Sequence, residues 1–341
     1  MSDKILRAVR RPRRLLMALA ACAVLAATTL GIGAATAGER HGSGHWPGWS
    51  RPSRTAQASP ATSGPGSSPA SSRPSAAAPS PSTAASQTPA STTSPASGNA
   101  PPPNAGFDYQ IGGGYPLPAG VTVVSRDHED TVASGAYNVC YVNGYQAQTE
   151  AAGWWRTNHP DLLLRKGGAE VLDREWNEIV LDISTPAKRT ALADVVGGWI
   201  TDCAAKGFKG VEVDNFDSFA RSQGLLSADH AIAYAKLLAA HAHGKGLAIA
   251  QKNGSDLARA GKTQAGFDFV VAEECGEYDM APGVSECQAY VDAYGTNVIV
   301  IEYDADSFAG TCAKYGSRLS VVLRDVDVSK PGSRSYVYKS C

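Results

Sequence analysis

The chain has 341 residues, with 31 Lys and Arg against 32 Asp and Glu. Ten of the basic residues but only two of the acidic ones fall within residues 1–104, leaving 21 basic against 30 acidic residues in the remainder. An acidic folded part argues against nucleic acid as a partner and favours a cationic one.

Lys4, Arg7, Arg10, Arg11, Arg13 and Arg14 precede an apolar run over residues 15–32 and then Ala35-Thr36-Ala37. A positive segment, an apolar segment and a small-residue cleavage site in that order predict a secretory signal peptide spanning 1–37. The expected product is secreted or extracellular. The apolar run is also long enough for an uncleaved anchor, which would tether the protein at the cell surface; otherwise no stable membrane insertion is expected. Residues 38–104 are dominated by Ser, Pro, Ala, Thr and Gly. Such a segment buries too little apolar surface to offset its ordering entropy, so it reads as a disordered linker.

Residues 105–341 regain Trp, Tyr, Phe, Val and Ile, over a length that suits one α/β barrel. Apolar or β-branched runs recur at 107–111, 121–125, 137–142, 178–182, 210–214, 247–251, 267–273 and 298–303. Helical periodicity lies between most of them, clearest over 186–206 and 227–243. Strand, helix, strand implies parallel pairing, and eight such units predict a (β/α)8 TIM barrel. A further run at 319–323 leaves the strand count ambiguous by one.

Six cysteines follow the leader: Cys140, Cys203, Cys275, Cys287, Cys312 and Cys341. In an exported domain they read as disulfides, with fifteen connectivities possible and no Cys-x-x-Cys metal spacing. Closeness in sequence favours Cys275 with Cys287, and Cys312 with Cys341 would tie down the last segment. Elimination leaves Cys140 with Cys203.

Polar residues fall at the carboxyl ends of the predicted strands. They are Cys140-Tyr141-Val142-Asn143, Leu181-Asp182, Asp214-Asn215, Gln251-Lys252-Asn253, Glu273-Glu274 and Glu302-Tyr303-Asp304. That is the barrel face where catalytic residues collect. In the stretch 210–214, Val211 and Val213 alternate with Glu212 and Asp214, and acids in a buried strand carry a desolvation cost that function explains better than packing does. There is no Gly-x-Ser-x-Gly elbow and no Walker loop, while His241 and His243 are spaced to face different ways. Carboxylate chemistry is what remains.

These residues also follow a family pattern. Tyr109-Gln110-Ile111, Cys140-Tyr141, Asp182, Gly210-Val211-Glu212-Val213-Asp214-Asn215-Phe216-Asp217, Lys252-Asn253, Glu273-Glu274-Cys275 and Ile301-Glu302-Tyr303 occur in the family's order over residues 107–341. The domain resembles glycoside hydrolase family 114, the endo-α-1,4-polygalactosaminidases. It departs in having Val213 where Pro is usual and Asn143-Gly144-Tyr145-Gln146 after the Cys-Tyr strand.

The resemblance implies a (β/α)8 barrel with Asp214 and Glu273 as the catalytic pair. Glycoside hydrolysis needs one carboxylic acid and a second carboxylate as nucleophile or base. Asp214 is expected as nucleophile and Glu273 as acid and base with a raised pKa. Tyr109, Gln110, Tyr141, Asp182, Glu212, Asn215, Asp217, Lys252, Asn253, Glu302 and Tyr303 are expected to bind substrate, with no metal or cofactor required. The implied substrate is a cationic aminosugar polymer, polygalactosamine or galactosaminogalactan, cleaved internally by a monomer. The alternative is a non-catalytic polysaccharide-binding module presented on its stalk.

Overall fold

The structure, a computed structural model, describes residues 100–281 and 284–341. The expected signal peptide, and the expected linker up to residue 99, lie outside the described residues. Eight parallel strands form the centre: β1 Gly106–Gln110, β2 Val121–Asp127, β3 Tyr137–Asn143, β4 Gly210–Asp214, β5 Ala248–Lys252, β6 Phe269–Glu273, β7 Val298–Glu302 and β8 Ser320–Arg324. Each pairs with the next, and a short strand, β9 Tyr338–Ser340, runs antiparallel on β8. The predicted TIM-barrel class holds.

Its strand list needs one correction. Residues 178–182, expected as a barrel strand, contribute Glu178–Val180 to a separate antiparallel sheet with Gln146–Ala147 and Leu172–Asp173, inside the long β3–β4 connection. The eighth barrel strand is β8, from the run that left the count ambiguous. Asn177, at φ 58°, turns the chain tightly before Glu178, so this strand returns along a hairpin instead of arriving from a crossover helix.

Helices follow local chemistry. α1 (Pro186–Lys206) starts with Thr185 capping the Lys188 amide and Pro186 at the first turn, and ends at Gly207 in the left-handed region (φ 97°). α2 (Ala228–Gly244) starts with a reciprocal Ser227–His230 cap. α3 (Glu286–Tyr294) and α4 (Ala305–Tyr315) precede β7 and β8. The β1–β2 and β2–β3 crossings, residues 111–120 and 128–136, carry no helix.

Alternation along the strands separates two cores. Phe107, Tyr109, Val123, Val139, Ala248, Ala250, Phe269, Val271, Ile299, Ile301 and Val322 pack inside the barrel. Val211, Val213, Ile249, Val270, Val298, Val300 and Val321 join the layer under the helices. Ala100 and Ala105 pack against the inner cluster, and Asn104 donates to the Ser317 carbonyl at 3.3 Å, so residues 100–104 lie against the barrel.

β1 and β8 share no backbone ladder. Side chains bridge that seam: fully buried Arg324 donates through Nη1 to Asp108 Oδ1 at 2.9 Å and to the Tyr109 carbonyl. Tyr338 donates to the Phe107 carbonyl at 3.4 Å. The three expected disulfides are present. Cys140–Cys203 joins β3 to α1, Cys275–Cys287 joins the loop after β6 to α3, and Cys312–Cys341 joins α4 to the residue after β9.

Candidate active site

Lys252, the last residue of β5, reaches the middle of the barrel mouth with its ammonium buried. Its Nζ lies 3.2 Å from Asp214 Oδ1, 3.3 Å from Glu212 Oε1 and 3.4 Å from Glu273 Oε2, and donates to the Tyr109 hydroxyl at 3.1 Å. One cation thus gathers three carboxylates from β4 and β6. β5 lies between those strands, which is why a lysine at its end can touch both.

Each carboxylate has its own hydroxyl or amide donors. Asp214 Oδ2 accepts from the Tyr141 hydroxyl at 2.5 Å, and Oδ1 accepts from the Asn215 backbone N–H at 2.8 Å. Glu273 Oε1 accepts from the Tyr303 hydroxyl at 2.6 Å, and Oε2 from Asn253 Nδ2 at 2.9 Å. Glu212 lies deeper and fully buried, taking Tyr109 at 2.9 Å and Ser125 at 2.6 Å.

The strand ends share a backbone device. Asn215, Asn253 and Glu274 directly follow Asp214, Lys252 and Glu273, and all three adopt left-handed φ values of 68°, 54° and 54°. Asn tolerates this region better than most residues, whereas Glu does so rarely, and such conformations cluster at functional sites. Asn253 also clamps β6, since its Oδ1 accepts the Glu273 backbone N–H at 2.9 Å while its Nδ2 holds the side chain of that same residue.

Burial and charge act in opposite directions here. Burial pulls the Lys252 ammonium down, but Asp214, Glu273 and Glu212 outweigh it and hold the group well above the usual lysine range. Burial raises Glu212 despite Lys252 and Ser125. Tyr109, Tyr141 and Tyr303 are raised well above the usual phenol range, first by burial and then by the carboxylates beside them. Their hydroxyls therefore stay protonated and donate.

Of the residues expected at the site, Tyr109, Tyr141, Glu212, Asp214, Asn215, Lys252, Asn253, Glu273 and Tyr303 come together. Four others do not join the Lys252 cluster. Gln110 shares the Asp108 side of β1, where it donates to Asp108 at 2.9 Å and accepts from Arg126 at 3.0 Å. Glu302 is on the Val300 side of β7, turned away from Ile301 and Tyr303 by alternation; its Oε1 accepts from Gly276 N at 2.9 Å and from the Thr311 hydroxyl of α4 at 3.0 Å. Asp182 leaves the barrel with its strand and is held by Lys188 and Ser184 at the start of α1. Asp217 pairs with Arg221 at 3.0 Å, one step out from Asn215, to which Arg221 also donates at 3.1 Å.

Two residues were missed. Ser125 interrupts the Val121, Val123 alternation of β2, a readable sign of a polar spot in the barrel. Glu178 comes from the separate sheet, and its Oε2 accepts from Asn143 Nδ2 at 2.8 Å and, at 3.5 Å, from Asn215 Nδ2. Burial, then the Asp214 charge, lift its carboxyl to about 8.

The model of glycoside hydrolase family GH114 matches residues 88–341, well over half of the chain. The chain belongs to glycoside hydrolase family 114. As a family 114 member it is a glycosidase with a TIM barrel. Its fold is similar to that of Ega3 from Aspergillus fumigatus, solved in complex with galactosamine, at 19% identity and TM-score 0.56 over 72% of this chain and 99% of that one. The glycoside hydrolase domain of PelA from Pseudomonas aeruginosa aligns at 16% identity and TM-score 0.48, over 68% and 98% of the two chains. No curated protein matches.

Proposed function

We propose that this family 114 glycosidase cleaves α-1,4-linked polygalactosamine or galactosaminogalactan within the chain, with Asp214 as nucleophile and Glu273 as acid and base. The observation that carries this reading is the convergence of Asp214 and Glu273 on the Lys252 ammonium. Two oxygens held at 3.2 and 3.4 Å from one nitrogen lie no farther apart than those distances laid end to end. That span is compatible with the ~5 Å separation of retaining enzymes. Support for the substrate comes from the acidic composition of the folded part and from the galactosamine bound by the similar Ega3.

In the proposed cycle, Tyr141, the Asn215 amide and Lys252 orient Asp214 for attack on the anomeric carbon, while Glu273 protonates the leaving oxygen. Glu273 shares the Lys252 ammonium with Asp214 and Glu212, and in this cycle it carries the proton that passes to the leaving oxygen. Glu273 then takes a proton from the water that releases the glycosyl group. Tyr303 and Asn253 keep it on one heading through both steps. The leader and the three disulfides support export to an oxidising compartment. Among the described residues no helix is long and apolar enough to cross a membrane.

A reducing-end assay on soluble polygalactosamine tests the activity, with new ends expected from the parent and none from Asp214→Asn or Glu273→Gln. Proton NMR of the first product is expected to show the α anomer; the β anomer removes Asp214 as nucleophile. Binding of the polymer without turnover, unchanged by Asp214→Asn, would favour a binding module.

A further inference from the structure

The Glu178 carboxylate lies beside the site yet has no role in the cycle above. It stands on the hairpin strand Glu178–Val180, outside the barrel, and is tied to the end of β4 through Asn143 and Asn215. Both donors reach Oε2; among the described residues none donates to Oε1, and no Lys or Arg pairs with this carboxylate. Glu178, Asp214 and Asn215 are all half-buried, so each keeps partial access to solvent. The charged groups around Glu178 are Asp214 at the end of β4, Asp173 on the paired strand and Glu150 after Gln146–Ala147. Arg221, which donates to Asn215, is itself paired with Asp173 and Asp217. A carboxylate with a free oxygen, surrounded by acids, is a place for an incoming cation.

We propose that Glu178 is a specificity residue that binds the ammonium of a 2-amino sugar seated against Asp214, and so selects deacetylated over N-acetylated units. This rests on the reading of Asp214 as nucleophile. The amino group of such a sugar is on the carbon next to the anomeric centre, and Glu178 is joined to Asp214 through the side chain and backbone of a single residue, Asn215. An N-acetyl group carries no charge and offers no ion pair.

The carboxyl, lifted to about 8 by burial and by Asp214, holds its proton at pH 7 and gives it up when an ammonium arrives. Binding of an amino sugar therefore releases a proton near pH 7 and not above pH 9. Titration calorimetry in two buffers of different ionisation enthalpy reads this directly. Glu273→Gln protein keeps bound oligomers from being consumed, and the ligands are galactosamine and N-acetylgalactosamine oligomers of equal length.

With Glu178 intact, galactosamine oligomers are expected to bind with release approaching one proton. Adding Glu178→Gln is expected to abolish the release and weaken galactosamine oligomers by about tenfold to a hundredfold, the worth of a charge-assisted hydrogen bond. N-acetylated oligomers should bind equally well with and without the change. Glu178→Asp, which keeps the charge, should retain the proton release even if the Gln variant melts early. Proton release that survives Glu178→Gln, an equal loss for both ligands, or no preference for the amino sugar with Glu178 intact would each overturn the proposal. Failure of the parent to form reducing ends, with selective binding and proton release intact, would instead count against the catalytic reading alone.

Discussion

Glu302 allows a quantitative test of how burial couples to pH. Its Oε1 accepts from Gly276 N and Thr311, and its buried Oε2 has no partner among the described residues. Burial outweighs those two bonds and lifts the carboxyl from 4.5 to about 7. A folded value above the unfolded one means that the stabilising contribution is complete below pH ~4.5 and is lost as pH rises through 7. At ~1.4 kcal/mol per tenfold change in proton affinity, the loss is about 3 kcal/mol. Glu302→Gln keeps an acceptor for Gly276 and Thr311 but cannot ionise. Any fixed cost of its amide is the same at every pH, so the stability difference between variant and parent should move by about 3 kcal/mol in favour of Gln between pH 4.5 and 8.5. For a domain of this size that is a relative rise in Tm of about 6–12 °C, read by thermal unfolding across pH. A difference that is flat with pH, or that moves towards Glu, would refute the reasoning.

Lys252→Met should destabilise the domain by about 3–5 kcal/mol at pH 8, because it leaves buried carboxylates without their cation. The gap should narrow near pH 4.5, where those acids can protonate, and unfolding curves at the two pH values check it. Gly276→Ala should lower Tm and activity together, because the added Cβ would fall 1.9 Å from the Thr311 hydroxyl and 2.8 Å from Glu302 Oε1; an unchanged melting curve would contradict the packing described. Replacing both cysteines of one pair by Ala should cost most for Cys140–Cys203, which closes 63 residues, and least for Cys275–Cys287, which closes 12. The chain-entropy model puts these at about 4 and about 3 kcal/mol, measurable by denaturant titration.

Much of the barrel was legible because β-branched runs ending in acids or amides are local patterns. Sheet membership is not local. Residues 178–182 carry the same signature as β4, and only the antiparallel partners at Gln146–Ala147 and Leu172–Asp173 show that they belong elsewhere. The side a residue faces was readable in β4, where Val and acids alternate, and unreadable in β7, where Val298, Ile299, Val300 and Ile301 are apolar on both sides. Glu302 and Tyr303 therefore looked equivalent. In β1, by contrast, Phe107, Asp108, Tyr109 and Gln110 alternate, so the side of Gln110, opposite to Tyr109, was readable. Glu178 was hidden because its neighbours in the site, Asn143 and Asn215, lie 35 and 37 residues away in sequence.

The seam between β1 and β8 bears on the order of events during synthesis. β1 is the first barrel strand to be made, and the groups that hold its free edge, Arg324 and Tyr338, are among the last residues of the described chain. Until they emerge, β1 presents an unpaired edge and Asp108 lacks its counterion, which leaves the nascent sheet open to wrong partners. The Cys312–Cys341 bond follows later still, once an oxidant reaches it. Rolling the barrel shut is thus a late event in the making of this domain.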